Sequence, residues 1–124
     1  MSKNLNILAV DDDLINIKLL KSMLMKNPDV AEVIEARNGA DAITVLKERS
    51  DIDMILLDII MPVMGGLEML QIVRADENLK QLPIIVLTTD ETKKSEALEF
   101  GANSFIMKPI RRDDLIHKMQ TVIV

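Results

Sequence analysis

The sequence predicts an α/β protein, a doubly wound, five-stranded parallel sheet in the order 2-1-3-4-5 with helices on both faces. Three observations predict it. Five short apolar runs alternate with stretches of helical spacing. The runs are continuous rather than alternating, as expected of strands buried on both faces. Acidic residues stand at the ends of the first and third runs. This strand order makes those two runs neighbours at the switch point, where such sheets bind ligands.

Taken in order, the first strand is Leu5 to Val10. Residues 14–25 follow as a helix with an apolar stripe at Ile15, Leu19, Leu20, Met23 and Leu24, and Asn27-Pro28 stops it. The second strand is Val30 to Ala36. The next helix opens at Asn38-Gly39 and repeats Ala42, Ile43 and Leu46. Met54 to Leu57 is the third strand, and Gly66 to Arg74 is a helix repeating Leu67, Leu70 and Val73. Ile84 to Leu87 is the fourth strand. The fourth helix, Glu91 to Phe100, is more polar and meets a stop at Gly101. Ser104 to Met107 is the fifth strand. The last helix, Arg112 to Val122, repeats Leu115, Ile116, Met119 and Val122, with Asp113 and Asp114 in the first turn where the dipole favours acids.

Composition narrows the function. The 124 residues form one domain, 1–124, without linker or repeat. A net charge of −5 argues against non-specific nucleic-acid binding. No run reaches the roughly 18 apolar residues of a membrane span. The start, Met1-Ser2-Lys3-Asn4, lacks the pattern of a signal peptide. The chain has no Cys, which excludes thiolate and disulfide chemistry and fits a cytoplasmic location. Phe100 and Phe105 are the whole aromatic complement, too little to stack bases or a flavin.

The acidic strand ends carry the chemistry. Asp11 and Asp12 follow the first strand and Asp58 follows the third. Carboxylates gathered at one sheet edge repel each other and call for a hard, oxygen-seeking cation such as Mg2+. Thr88 and Lys108, at the ends of the fourth and fifth strands, line the same edge.

Asp11-Asp12, Asp58, Thr88 and Lys108-Pro109, in this order and each at a strand end, resemble the receiver domain of two-component response regulators, which has a flavodoxin-like fold. The resemblance runs from Ile7-Leu8-Ala9-Val10-Asp11-Asp12-Asp13 to Ser104-Phe105-Ile106-Met107-Lys108-Pro109. It implies a phosphorylation-activated signalling switch and not an enzyme, apart from catalysis of its own phosphorylation and dephosphorylation. Asp58 would be the phosphoryl acceptor. Asp11, Asp12, Asp58 and the main-chain carbonyl of Ile60 would hold Mg2+. Thr88 would bond a phosphoryl oxygen, and Lys108 would pair first with Asp58 and then with the phosphoryl group. Phe105 would be the aromatic switch, and Lys108-Pro109 a cis peptide.

The donor implied is a phosphohistidine on a sensor histidine kinase or a histidine phosphotransfer protein. It would dock on helix 1 through Leu14, Ile15, Ile17 and Lys18. Output would pass to a target protein through helix 4, strand 5 and helix 5, from a monomer that dimerises, if at all, when phosphorylated. The chain ends at Val124 with its fifth helix, so the expectation is a free-standing switch of the chemotaxis type. A phosphoryl carrier in a multi-step relay is the alternative. One departure is Gly65, in a position where the family often has an acidic residue, and it should loosen the loop. Ile60 and Asp90 occupy positions that tune water access to the phosphoryl group.

Two other functions fit parts of the pattern. A phosphatase of the haloacid dehalogenase type would use Asp11 as nucleophile and Asp13 as acid–base. It leaves Asp58 idle, and Asp113-Asp114 opens a helix instead of ending a strand. A flavodoxin-like cofactor binder would need a Ser/Thr/Gly phosphate loop after the first strand, and that loop is acidic. Other polar residues have structural explanations. Asp13 is expected to cap the first helix, Thr88 or Thr89 the fourth. His117 and Lys93-Lys94 should be exposed, and the nine Met residues should fill the core.

Overall fold

The computed structural model describes residues 3–123. The expected start at Met1-Ser2 and the domain end at Val124 lie outside the described residues. The elements alternate as β1 (Leu5–Val10), α1 (Leu14–Met25), β2 (Val30–Ala36), α2 (Gly39–Glu48), β3 (Met54–Asp58), α3 (Gly66–Ala75), β4 (Ile84–Thr88), a 3-10 turn (Glu91–Lys93) running into α4 (Lys94–Glu99), β5 (Ser104–Met107) and α5 (Arg112–Ile123). The sheet is parallel, in the order β2-β1-β3-β4-β5.

Both faces of the central strands are apolar because both are covered. Ile55 and Leu57 point into a core shared with Ala42 and Leu46 of α2, Met69, Leu70 and Val73 of α3 and Ala97 of α4. Met54 and Leu56 point the other way, onto Leu20 and Leu24 of α1 and Leu115 and Met119 of α5. A strand with this two-sided burial reads as an unbroken apolar run, and its carboxyl end is where polar residues first reappear.

Three expectations are corrected. The buried residues of α1 are Ile17, Leu20 and Leu24, not the whole of the expected stripe, and Ile15 and Leu19 are 70% and 56% exposed. The 17-20-24 spacing follows the 3.6-residue period, so one helical face turns inward and the other apolar pair turns out. Ile17 is therefore core and cannot contact a docked partner. Helix 4 begins as a 3-10 turn because Asp90 draws it tight: Lys93 N–H donates to the Asp90 carbonyl (3.2 Å) and Thr92 N–H to the Asp90 side chain (3.0 Å). Asp90, not Thr88 or Thr89, is the cap of that turn. Among the described methionines only Met54, Met69 and Met119 are buried, and Met25 and Met107 are 47% and 40% exposed. His117 is exposed, as expected.

Candidate functional site

The carboxyl ends of β1 and β3 meet at an acidic cleft. Val10 pairs with Leu57, so the next residues on each strand, Asp11 and Asp58, emerge side by side. One carboxylate oxygen each from Asp11, Asp12 and Asp58 lies within 4.8 Å of the others. Asp11 and Asp58 are buried, and Asp12 faces solvent. Asp11 is held in place by the Asp13 N–H, which donates to its Oδ1 (2.9 Å). Asp13 itself is occupied with α1, its Oδ1 accepting from the N–H groups of Ile15 (2.9 Å) and Asn16 (3.4 Å). That leaves it no role as an acid–base partner of Asp11.

Lys108 closes the cleft from the end of β5. Its Nζ lies 3.0 Å from Asp11 Oδ2 and 3.4 Å from Asp58 Oδ1. Lys108 thus pairs with Asp58, and its shorter contact goes to Asp11. Burial works against the Lys108 ammonium. The Asp11 hydrogen bond and the charges of Asp58 and Asp11 outweigh it and hold the group above its ordinary value. For Asp58, burial pushes the carboxyl up and the Asp11 charge adds to this. Lys108 and the Ile59 amide only partly offset the two, and the result is about 6.

The remaining predicted residues fall around this centre. Thr88 is buried at the end of β4. Its hydroxyl accepts from the Asp90 N–H (3.1 Å), and its carbonyl accepts from the Lys108 N–H (2.9 Å). Phe105 is buried in the core with Val86 and Ala97, so the aromatic ring is turned inward. Lys118 Nζ donates to the Phe105 carbonyl (2.6 Å). Ile60 follows in the loop after β3 with its side chain 63% exposed. The Lys108–Pro109 peptide is cis.

The donor set suits a divalent cation. Three carboxylates converge and a single ammonium answers them, which leaves excess negative charge on hard oxygen ligands. Asp11, Asp12 and Asp58 would hold Mg2+ there.

Two local features have physical reasons that the sequence does not show. A Cβ on Gly66 would lie 2.2 Å from the Asp58 carbonyl oxygen, so only glycine lets α3 start this close to the end of β3. The spacing Asp58 to Gly66 is a signal that one sequence cannot weigh. Gly65, in contrast, has φ −75, a backbone any residue adopts. The second feature is the link from Thr88 to Asp90. A hydroxyl residue followed two positions later by an acid that caps a turn is a recognisable pattern.

The family model of the response regulator receiver domain matches residues 7–120. The chain belongs to that family. As a receiver it is 33% identical to the chemotaxis protein CheY-3 of Vibrio cholerae, over 98% of this chain and 94% of that one. The structure of chemotaxis protein CheY4 from the same organism has a TM-score of 0.85 at 32% identity, covering 95% of this chain and 98% of that one. The receiver domain of the sensor histidine kinase PA1611 from Pseudomonas aeruginosa has a TM-score of 0.86 at 28% identity, covering 97% and 98%. That structure has a magnesium ion coordinated in its active-site cleft. Membership of this family also removes the phosphatase and cofactor-binding alternatives.

Proposed function

We propose that this receiver takes a phosphoryl group onto Asp58 from a phosphohistidine and transmits the new charge to a protein-binding surface. The observation that supports this best is Asp58 itself, a buried carboxylate 3.4 Å from Lys108 and within 4.8 Å of two further carboxylates. An Asp58 oxygen forms the P–O bond as the P–N bond breaks, and the imidazole keeps the electron pair. In the metal-free cleft this carboxyl titrates near 6 and is mostly ionised at neutral pH, as a nucleophile must be. Asp11, Asp12, Asp58 and the Ile60 carbonyl hold Mg2+, which when bound supplies positive charge to the phosphoryl oxygens. Lys108 meets a second oxygen. Thr88 donates its hydroxyl to a third while still accepting from Asp90 N–H.

The donor is a sensor histidine kinase or a histidine phosphotransfer protein in the cytoplasm. Leu14, Ile15, Lys18 and Leu19 form its docking face, because these residues of α1 are exposed beside the cleft. The response is a switch of the chemotaxis-regulator kind, monomeric at rest, in domain 1–124. Its catalysis is confined to its own phosphorylation and dephosphorylation. Support for a switch over a relay carrier comes from the hydrogen bond that joins Thr88 to the turn before α4.

Intact-mass analysis after incubation with acetyl phosphate tests the acceptor. One Mg2+-dependent, base-labile phosphoryl adduct is expected on the wild type and none on Asp58→Asn. An adduct of equal yield on Asp58→Asn, or continuous phosphate release dependent on Asp11 alone, overturns the assignment.

A further inference from the structure

The loop that follows Asp58 is pinned at both ends. At its start Ile59 is buried, and its carbonyl accepts from the Gly66 N–H (2.8 Å). At its far end the Met64 carbonyl accepts from the Gly39 N–H (2.9 Å). Gly39 is the first residue of α2, a helix that gives no side chain to the acidic cleft. Its N–H is one of the amides that a helix start leaves without an intrahelical partner. Asn38, the cap before it, serves a different amide, that of Asp41 (2.9 Å to its Oδ1). The β3–α3 loop is thus docked on the amino end of α2 by way of Gly39.

The fit at this dock is tight. Gly39 is buried, and a Cβ there would lie 2.7 Å from Met64 Cγ, 2.9 Å from its Sδ and 2.9 Å from its carbonyl oxygen. The Met64 side chain also packs on the core shared by α2 and α3. Between the two pins the backbone has little freedom. Pro62 has its φ fixed by the ring, and Met61 is restricted by the proline after it. The Met64 N–H donates back to the Pro62 carbonyl (2.7 Å) around Val63 at φ +67, a γ-turn that a β-branched residue adopts only when its surroundings impose it. A displacement at Met64 is therefore not absorbed by residues 61–63 and reaches Ile60. The Ile60 side chain is exposed and anchors nothing, so its main chain stands where the two pins put it.

We infer that Gly39 is a positioning residue for the metal site: through Met64 it sets where the Ile60 carbonyl stands. The inference rests on the proposed Mg2+ site with Ile60 as a main-chain ligand, and it adds a residue of α2 that touches neither the ion nor the phosphoryl group. Room for a hydrogen at position 39, and for nothing larger, is what lets α2 hold the loop.

Two measurements on the whole chain read this role. Titration calorimetry gives Mg2+ affinity, and NMR gives the Mg2+-induced shift of the Met61 amide nitrogen, which shares a peptide with the Ile60 carbonyl. Gly39→Ala leaves Asp11, Asp12 and Asp58 untouched. It should weaken Mg2+ binding about tenfold or more and cut the Met61 shift at saturation to about half or less of the wild-type value. Asn38→Ala removes the α2 cap without altering the contact with Met64. It should lower the urea midpoint yet keep Mg2+ affinity within about twofold of wild type. Unchanged affinity and an unchanged Met61 shift in Gly39→Ala overturn the inference. Equal weakening in Asn38→Ala also overturns it, because general loosening of α2 then accounts for the loss. If Gly39→Ala does not fold, Met64→Ala decides. It frees the loop from its packing and should weaken Mg2+ about threefold or more, and undiminished affinity refutes the role. Asp12→Asn separates this inference from the reading beneath it. If wild type binds no Mg2+, or Asp12→Asn binds it equally well, the metal-site reading fails and the role of Gly39 with it. If Asp12→Asn is weakened but Mg2+ leaves the wild-type Met61 nitrogen unshifted, only the role of Gly39 fails.

Discussion

Replacing Asp58 with Asn should make the protein more stable, and by an amount that depends on pH. The carboxyl titrates at about 6 in the fold against 3.8 ordinarily. The folded state thus holds this proton more tightly than the unfolded chain does, so the group loses stability as pH rises from 3.8 toward 6. Above that window the wild type carries the full penalty of the buried charge, about 3 kcal/mol. The figure already includes the attraction of Lys108, which keeps its closer contact with Asp11 in the variant. Asn has nearly the same shape and no charge to bury. Urea unfolding in EDTA should therefore show Asp58→Asn about 2–3 kcal/mol more stable than wild type at pH 7.5, and the gap should fall below about 1 kcal/mol at pH 4. Mg2+ should narrow the gap at pH 7.5 by stabilising the wild type, about 1.4 kcal/mol at ten times its dissociation constant. A variant no more stable than wild type at pH 7.5, or a gap that does not change with pH, would refute the claim that Asp58 is a strained buried charge.

Other substitutions probe other parts of the cleft. Asp12→Asn removes the exposed carboxylate of the cluster and should weaken Mg2+ affinity by about tenfold or more with little change in stability, measured by titration calorimetry. Undiminished affinity would take Asp12 out of the metal site. Lys108→Ala should leave Mg2+ binding intact or stronger, since it removes a competing cation 3.0 Å from Asp11, while abolishing the amide hydrogen-exchange response of residues 90–94 to beryllofluoride, a mimic of the phosphoryl group. Loss of Mg2+ binding in that variant would count against this division of labour. Gly66→Ala places a Cβ 2.2 Å from the Asp58 carbonyl oxygen, backbone that has no flexible way to yield. A loss of about 3 kcal/mol or more in urea unfolding is expected, and a loss under about 1 kcal/mol would show that α3 can withdraw freely. Leu19→Asp on the exposed side of α1 should leave stability and acetyl-phosphate labelling unchanged and slow transfer from a phosphohistidine donor by about tenfold or more. Equal slowing with acetyl phosphate would place the effect in the cleft instead of at docking.

The sheet was legible because two-sided burial writes each strand as an unbroken apolar run, and the order follows from strict alternation of runs and helices. The acidic centre was legible for a related reason. A carboxylate directly after a run such as Met54 to Leu57 is costly, and three of them converging need a cation. What the sequence left open was set by contacts made only in three dimensions. The closer approach of Lys108 to Asp11 (3.0 Å) than to Asp58 (3.4 Å) is one such contact. The tight entry of helix 4 depends on Asp90 outcompeting its threonine neighbours for the free amide of Thr92. The requirement for Gly66 depends on how closely α3 approaches the strand before it.

The misread stripe of α1 has a different origin, and it bears on function. Ile15 and Leu19 lie one helical turn apart, as do Leu20 and Leu24, so the pattern of apolar residues holds two stripes and does not mark which one is core. Only the second packs on the sheet, and Ile17 is buried as well. A helix whose single task was to cover the sheet would carry polar residues on its other side. Exposed Ile15 and Leu19, with Leu14 near them and Ile60 and Val63 in the loop after Asp58, instead place apolar surface around a buried, charged centre. That combination suits a partner that must dock firmly and exclude water before a phosphoryl group changes hands, because transfer between two protein side chains competes with hydrolysis. The ambiguity in the sequence is therefore physical in origin: the same hydrophobic spacing that folds one side of α1 onto the sheet leaves its other side ready for a second protein.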